Sequence, residues 1–370
     1  VRVVRSGGTA TAADVAPVDE VATFAPGATS ATVPVTLRDD GDAEPDETVV
    51  LALRDASGLT IGEGTGTLTV TDGDPAPRGV TGVAGEDRIR TSVEASRAVW
   101  DDLGGAGPQA GAAVVASAVT FPDALVGTPL AHDRSAPMLL TDPASLADPV
   151  AEELGRILAP GATVYVLGGE VAIAPAVVEA IEDLGYVVRR LAGEDRYATA
   201  VAVADELGDT SVVLLATALD FPDGLAAGAA AAHVDGVVLL TAGDTLPDRT
   251  AAALAARPAA YRYAVGGPAA RAVPGAVPFS GEDRYETAGL LAEGLFANPA
   301  WVGLASGVTS PDALSGGAHA AAHDAPLLLS HPDELSRATA DYLAATEPRR
   351  VAIYGGPVAL GDAVRSAVDA

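Results

Sequence analysis

The chain has 370 residues, 49% of them hydrophobic, and a formal net charge of −28. That length accommodates two or more domains with proper cores, and the acidity sets the overall field against nucleic acid and anionic lipid. There is no Cys, which excludes disulfides, thiolate nucleophiles and Cys-based zinc sites. All 22 basic residues are Arg, and this Lys-free, Ala/Gly/Asp-rich usage fits a GC-rich genome or a salty habitat in which acidity keeps the protein soluble. No apolar run reaches the ~18 residues of a membrane span, and no signal peptide is visible. The opening "VRVVRSGG" reads as the middle of a strand, as expected of a piece of a longer secreted precursor.

Residues 1–74 read as all-β. The stretches "ATVPVTL" (31–37), "ETVVLAL" (47–53) and "GTLTVTD" (66–72) alternate and are rich in β-branched residues, with Gly/Asp/Pro clusters between them. The acidic run "DDGDAEPDE" (39–47) suits Ca²⁺ through clustered carboxylates. It lacks EF-hand spacing and equally suits a solvated loop. Residues 75–83 read as a Pro/Gly linker.

Beyond residue 83 short apolar strands alternate with Ala-rich helices. In "SVVLLATA" (211–218), "PDGLAAGAAAAH" (222–233), "GVVLLT" (236–241), "LPDRTAAALAA" (246–256) and "YRYAVGGP" (261–268) the order is strand, helix, strand, helix, strand. The strands are continuously apolar, as parallel strands covered on both faces are. Three landmarks recur in one order. The tetrad Gly-Glu-Asp-Arg begins at 85, 193 and 281, spaced by 108 and 88. Pro-Asp pairs begin at 122, 222 and 311, and Gly-Gly pairs at 168, 266 and 355. Three tandem α/β repeats follow, at 84–191, 192–279 and 280–370.

Each landmark has a functional and a structural reading. Arg88, Arg196 and Arg284 present planar forks that suit phosphate or carboxylate; the alternative is an ion pair with the adjacent Glu and Asp that also caps the following helix. Asp123, Asp223 and Asp312 follow a strand and open a helix, where ligands of parallel sheets sit; as first-turn acids they also stabilise the helix dipole. Gly168-Gly169, Gly266-Gly267 and Gly355-Gly356 permit close backbone approach to a phosphate or sugar, or simply a tight turn. They are not GxGxxG, so no organic cofactor is expected. His132, His233 and His323 recur at helix ends, where the dipole favours them. No nucleophile elbow, HExxH or P-loop is present, so no enzyme is expected.

The ordered set "GEDRYATA … ATALDFPDGLAAGAAAA … VVLLT … YAVGGP", seen three times over about 84–370, resembles the cell wall binding repeat 2 family of Gram-positive surface proteins. The family's hydrophobic-Leu-Leu stretch falls at Met138-Leu139-Leu140, Val238-Leu239-Leu240 and Leu327-Leu328-Leu329. The resemblance implies three flavodoxin- or Rossmann-like units with parallel sheets in a pseudo-threefold arrangement, hence a monomer with an internal pseudo-trimer. It also implies a secreted protein at the cell surface, anchored without covalent bonds to an anionic wall polysaccharide or teichoic-acid-like polymer. The copies differ: Ile89 stands where the others have Tyr197 and Tyr285, and Thr309-Ser310 precedes the third Pro-Asp where the others have Phe121 and Phe221. The three sites are therefore not expected to be equivalent. Residues 1–74 resemble a Calx-β domain, through "VATFAPGATSATVPVTLRDDGDAEPDETVVLAL" and "GTGTLTVTDGD". That resemblance implies a β-sandwich, here partial because its opening strand is missing, with Asp14, Asp39, Asp40, Glu44, Glu47, Asp72 and Asp74 at its Ca²⁺ positions.

The expected function is multivalent anchoring to the wall. A surface scaffold or adhesion protein that binds another protein or a neutral glycan is the alternative, and a wall-associated hydrolase the third. An anionic partner must overcome the chain's own charge, either by gathering Arg in grooves between repeats or by bridging through divalent cations.

Overall fold

The computed structural model describes residues 1–11, 14–38, 47–58, 60–71, 78–309 and 311–369. They form two compact units, Val1–Pro77 and Arg78–Ala370. In the first, β1 (Arg2–Gly7), β2 (Asp19–Val21), β3 (Glu47–Arg54) and β4 (Thr65–Val70) make one antiparallel sheet in the order β2-β1-β3-β4. Ala10, Val15, Val18 and Val49 form a small core against it. Two sheets were expected; among the described residues there is one. The stretch 31–37 joins by the single bridge Val15–Leu37. Pro34 within it has no N–H to give to a ladder.

The second unit opens with β5 (Gly79–Val83). The first repeat runs α1 (Arg88–Arg97), β6 (Ala112–Ser117), a single 3-10 turn at Ala124–Val126, α2 (Thr128–Asp133), β7 (Met138–Thr141), α3 (Asp148–Ile157), β8 (Thr163–Leu167), α4 (Pro175–Asp183) and β9 (Val187–Leu191). The second runs α5 (Arg196–Leu207), β10 (Val212–Thr217), α6 (Pro222–His233), β11 (Val237–Thr241), α7 (Asp248–Ala256), β12 (Tyr261–Val265), α8 (Gly267–Ala272) and β13 (Val277–Phe279). The third runs α9 (Arg284–Leu295), β14 (Trp301–Ser306), α10 (Pro311–Ala322), β15 (Leu327–Ser330), α11 (Arg337–Thr346), β16 (Arg350–Tyr354) and α12 (Asp362–Asp369). The longer first spacing has two sources: the longer stretch from the Gly-Gly turn through α4 to β9, and the segment between α1 and β6, where Asp101 accepts from the backbone of Asp102 and Gly107, and Arg156 ties Asp102 to buried Glu153.

Among the described residues every sheet of this unit is parallel and four-stranded: β7-β6-β8-β9, β11-β10-β12-β13 and β15-β14-β16-β5. Residues 75–83, read as a linker, thus contain the edge strand of the third sheet, with Val80 opposite Val351 and Val83 opposite Tyr354. The pattern is the same in each copy. The strand just before a tetrad belongs to the preceding repeat's sheet, and β5 closes the cycle from the other end of the chain.

The small-residue helices form the centre. α2, α6 and α10 pack on one another, and one core cluster draws on all three repeats. Absence of a Cβ permits this approach at Gly228, where one would lie 3.1 Å from Thr128. Around this centre, α5 packs on α2, α9 on α6 and α1 on α10, so each tetrad helix also leans on the previous repeat.

The third repeat replaces an apolar pair with a polar one. Tyr354 is fully buried and its hydroxyl shares a 2.9 Å hydrogen bond with Nδ1 of His319. The corresponding residues of the first repeat are Leu130 and Leu167. Gly303 and Gly316 make room for the Tyr354 ring. Trp301 lies edge-on to His319, stacks on His323 at 3.9 Å and faces the Arg350 guanidinium. Burial, with the charge of His323 second, pushes His319 down to about 3.

Two outcomes follow. A chain begun at Ala84 should lose hydrogen-exchange protection in β16 while β8 and β12 keep theirs; equal protection in all three would show that β5 closes nothing. His319 binds its proton less readily folded than unfolded, where its value is ~6.5. Its contribution is therefore complete above about pH 6.5 and is lost as pH falls towards about 3. Melting temperature should drop on acidification from neutral pH to about 5, and drop less in a His319→Leu, Tyr354→Phe variant. A drop of the same size in both would show that this pair does not carry the acid sensitivity.

Candidate functional site

In each sheet the order places the first and third strands side by side with their connections leaving in opposite directions. Ligands of open α/β sheets bind beyond the carboxyl ends of strands at such a switch point. The candidate residues gather there, but not repeat by repeat. Arg196 of the second repeat acts on Asp123 of the first, and Thr199 hydrogen-bonds the same carboxylate. Arg284 of the third acts on Asp223 of the second. Arg88 of the first shares a groove of about 500 Å³ with Asp312 and Gly356 of the third. Each set is thus drawn from two neighbouring repeats.

The tetrads build their side of these clefts as follows. Asp87 and Asp195 accept from the backbone N–H three residues on, at 2.8 Å in both, and Asp283 from those of Tyr285 and Glu286, so each caps its helix. The tetrad Gly donates its N–H to a Thr hydroxyl six residues later, at Thr91, Thr199 and Thr287. A Cβ on Gly85 would lie 2.5 Å from the backbone of Arg90. The Arg then reaches the end of its own first strand: Nη1 donates to the carbonyl of Ala118 from Arg88 (2.7 Å), of Ala218 from Arg196 (2.8 Å) and of Gly307 from Arg284 (2.6 Å). Capping by Asp is therefore as expected, whereas neutralisation of Arg by the tetrad's own acids is not what the chain does. Glu86 turns to Arg90 and Glu194 to Arg249. Among the described residues Arg88 and Arg196 have no carboxylate within ion-pairing distance, and both are exposed.

The opposite wall is the Asp against the Gly-Gly turn. Gly168, Gly266 and Gly355 have φ of 94°, 85° and 91°, a region that favours Gly. Each donates its N–H to the neighbouring edge strand, at Leu191, Phe279 and Val83. The space a Cβ would fill is taken by the Asp: such an atom would stand 2.7 Å from Oδ2 of Asp123 at Gly168 and 2.6 Å from Oδ2 of Asp312 at Gly355, and would also strike Asp223 at Gly266. The second glycines, Gly169, Gly267 and Gly356, are half-exposed beside them. Burial raises the Asp123 carboxyl against the opposing pull of Thr199 and Arg196. Burial and then Asp220 raise Asp223 to about 6.

Two features escaped the sequence reading. The Thr of each tetrad helix recurs at one spacing, a signal present in the sequence. The other is an apolar rim: Val119, Leu219 and Val308, one residue after each Arg-bonded carbonyl or directly adjoining it, are 67%, 65% and 51% exposed. The histidines lie elsewhere. His132 and His233 sit in the last turns of α2 and α6, and His233 bonds Asp324 of the next repeat, while His323 lies just past α10. In the N-terminal unit Asp14 and Glu47 come together. Burial, then the charge of Asp14 and a hydrogen bond with it, raises Glu47, whose Oε2 is buried with no hydrogen-bond partner. Asp39, Asp40, Glu44, Asp72 and Asp74 lie outside the described residues.

A family model described as cell wall binding domain 2 matches residues 83–178, 190–272 and 279–365. N-acetylmuramoyl-L-alanine amidase LytC of Bacillus subtilis is 26% identical over 267 residues, 70% of this chain and 52% of that protein. The amidase enhancer of the same organism is 28% identical over 165 residues, 45% of this chain and 22% of that protein. The chain thus spans about half or less of these relatives. Among solved structures, Cwp8 from Clostridium difficile matches with TM-score 0.68 at 22% identity, over 90% of this chain and 59% of that one. Cwp6 from the same organism matches with TM-score 0.71 at 19% identity, over 91% and 59%. The three matched stretches coincide with the three α/β repeats, and the chain belongs to the cell wall binding domain 2 family.

Proposed function

We propose that residues 78–370 hold a secreted protein at the bacterial cell wall by gripping an anionic secondary wall polymer in the clefts between repeats. The observation that carries this reading is the exposed tetrad Arg, held by one nitrogen and facing a half-buried Asp and a Gly-Gly turn across a repeat boundary. A guanidinium so fixed meets phosphate or carboxylate at little further ordering cost. The Asp accepts from sugar hydroxyls, and the apolar rim covers the C–H faces of a sugar. Arg in the clefts answers the problem of the −28 charge. Contacts in a groove act well within a Debye length, roughly 8–10 Å at physiological salt, where repulsion from the more distant surface is already largely screened. Several weak clefts on one body supply avidity without new contacts.

We assign this chain binding and not catalysis, because its landmark residues form repeated shallow clefts in place of one deep site. We also propose Ca²⁺ in the N-terminal unit, held by Asp14 and Glu47 with the Calx-β-like acidic positions. The buried, unpartnered Oε2 of Glu47 fits a cation. Calcium should then raise the melting temperature of that unit relative to chelator, and no change would remove the assignment.

For the wall, the decisive comparison is cosedimentation with purified walls before and after their secondary anionic polymers are stripped. Binding should vanish on stripping, weaken as salt rises and ignore chelator. Retention on stripped walls would point to peptidoglycan or a protein; loss on chelation would replace direct Arg contact with cation bridging.

A further inference from the structure

The three clefts are built alike, so a difference between them isolates one residue. Asp220 sits in the loop after β10, where the other copies have Thr120 and Thr309. Its Oδ2 lies 3.3 Å from Nη2 of Arg284, while Nη1 of that Arg is already bonded to Gly307. Both terminal nitrogens of Arg284 are therefore occupied, and the side chain is half-buried. In the other two clefts Arg88 and Arg196 use Nη1 alone, and Nη2 has no partner among the described residues. Asp220 also brings a second carboxylate beside Asp223, and its charge helps to raise that group. Each Gly-Gly turn has a further Arg next to it: Arg190 donates to Gly168, Arg365 to Gly355, and Arg271 lies beside Gly267. These bracing arginines do not tell the clefts apart.

We propose that Asp220 is a specificity residue that closes the cleft between the second and third repeats to anions, leaving the clefts at Arg88 and Arg196 as the two that grip the polymer. This rests on the wall-polymer reading above and adds which clefts carry it. The ion pair itself is partly exposed and stabilises the fold little. Its effect is on the ligand: an incoming phosphate must displace Asp220 from Nη2 and meet two carboxylates for one available guanidinium. A dianionic segment thus finds two open clefts at fixed separation, which restricts the spacing of charged groups the protein accepts. The site is closed by one loop side chain that the sibling copies lack, so a single substitution reopens it without disturbing the turn.

The test is wall cosedimentation of the full chain with Arg88→Ala, Arg196→Ala, Arg284→Ala and Asp220→Thr, each checked for an unchanged melting curve. Arg88→Ala and Arg196→Ala should each weaken binding by roughly tenfold or more, as loss of one of two linked sites does. Arg284→Ala should change it less than about twofold. Asp220→Thr should strengthen binding several-fold, and adding Arg284→Ala to it should cancel that gain. Equal loss from all three arginine variants, or no gain from Asp220→Thr, would overturn the proposal while leaving wall binding in place. Failure of the unmodified chain to bind walls would remove the wall-binding reading and this proposal with it.

Discussion

The arrangement depends on one pairing rule: the strand that precedes each tetrad hydrogen-bonds into the sheet of the repeat before it. β9 and β13 do so along the chain, and β5 does so around the ring, onto β16. Once that strand is fixed in the neighbour's sheet, the tetrad two residues later emerges at the neighbour's switch point. Its helix then has to return across the boundary to cover its own second strand. The Arg at the helix start is thereby aimed at the end of its own first strand, and its free side at the neighbour's Asp. Clefts between repeats are a consequence of this connectivity, and the closed ring gives three boundaries to three repeats.

Much of the fold was legible in the sequence because its signals are local. Continuous apolar runs marked parallel strands, and α6 spans the residues, Pro222 to His233, that its Pro-Asp start and Ala/Gly run suggested. What was not legible is long-range. Gly79–Val83 sits among Pro and Gly and reads as a connector; it is a strand only because β16, some 270 residues later, offers an edge. For the same reason, spacing along the chain cannot show that Arg196 belongs with Asp123. In the N-terminal unit, alternation at 31–37 suggested a full strand, and only a single bridge formed at Leu37.

The electrostatics are local as well. A net charge of −28 describes the surface as a whole, while each cleft is decided by one guanidinium and one or two carboxylates. The acids that cap helices at Asp87, Asp195 and Asp283 are spent on backbone N–H groups, and the acids at the Gly-Gly turns are half-buried. Among the described residues none of these acids forms an ion pair with Arg88 or Arg196, although Arg196 pulls on Asp123 across the boundary. The polar core of the third repeat, His319 with Tyr354, shows the same economy of difference: the repeat keeps its frame, and two glycines absorb the larger ring.

The central claim is that ligand binds across repeat boundaries. Hydrogen-exchange footprinting of the full chain with solubilised wall polymer tests it most directly. The account predicts protection that appears in pairs, at a Gly-Gly turn of one repeat and the tetrad of the next, with 168–169 moving together with 193–196 and 355–356 with 85–88. Protection confined to the outer helices, or to one repeat's landmarks without its neighbour's tetrad, would contradict it.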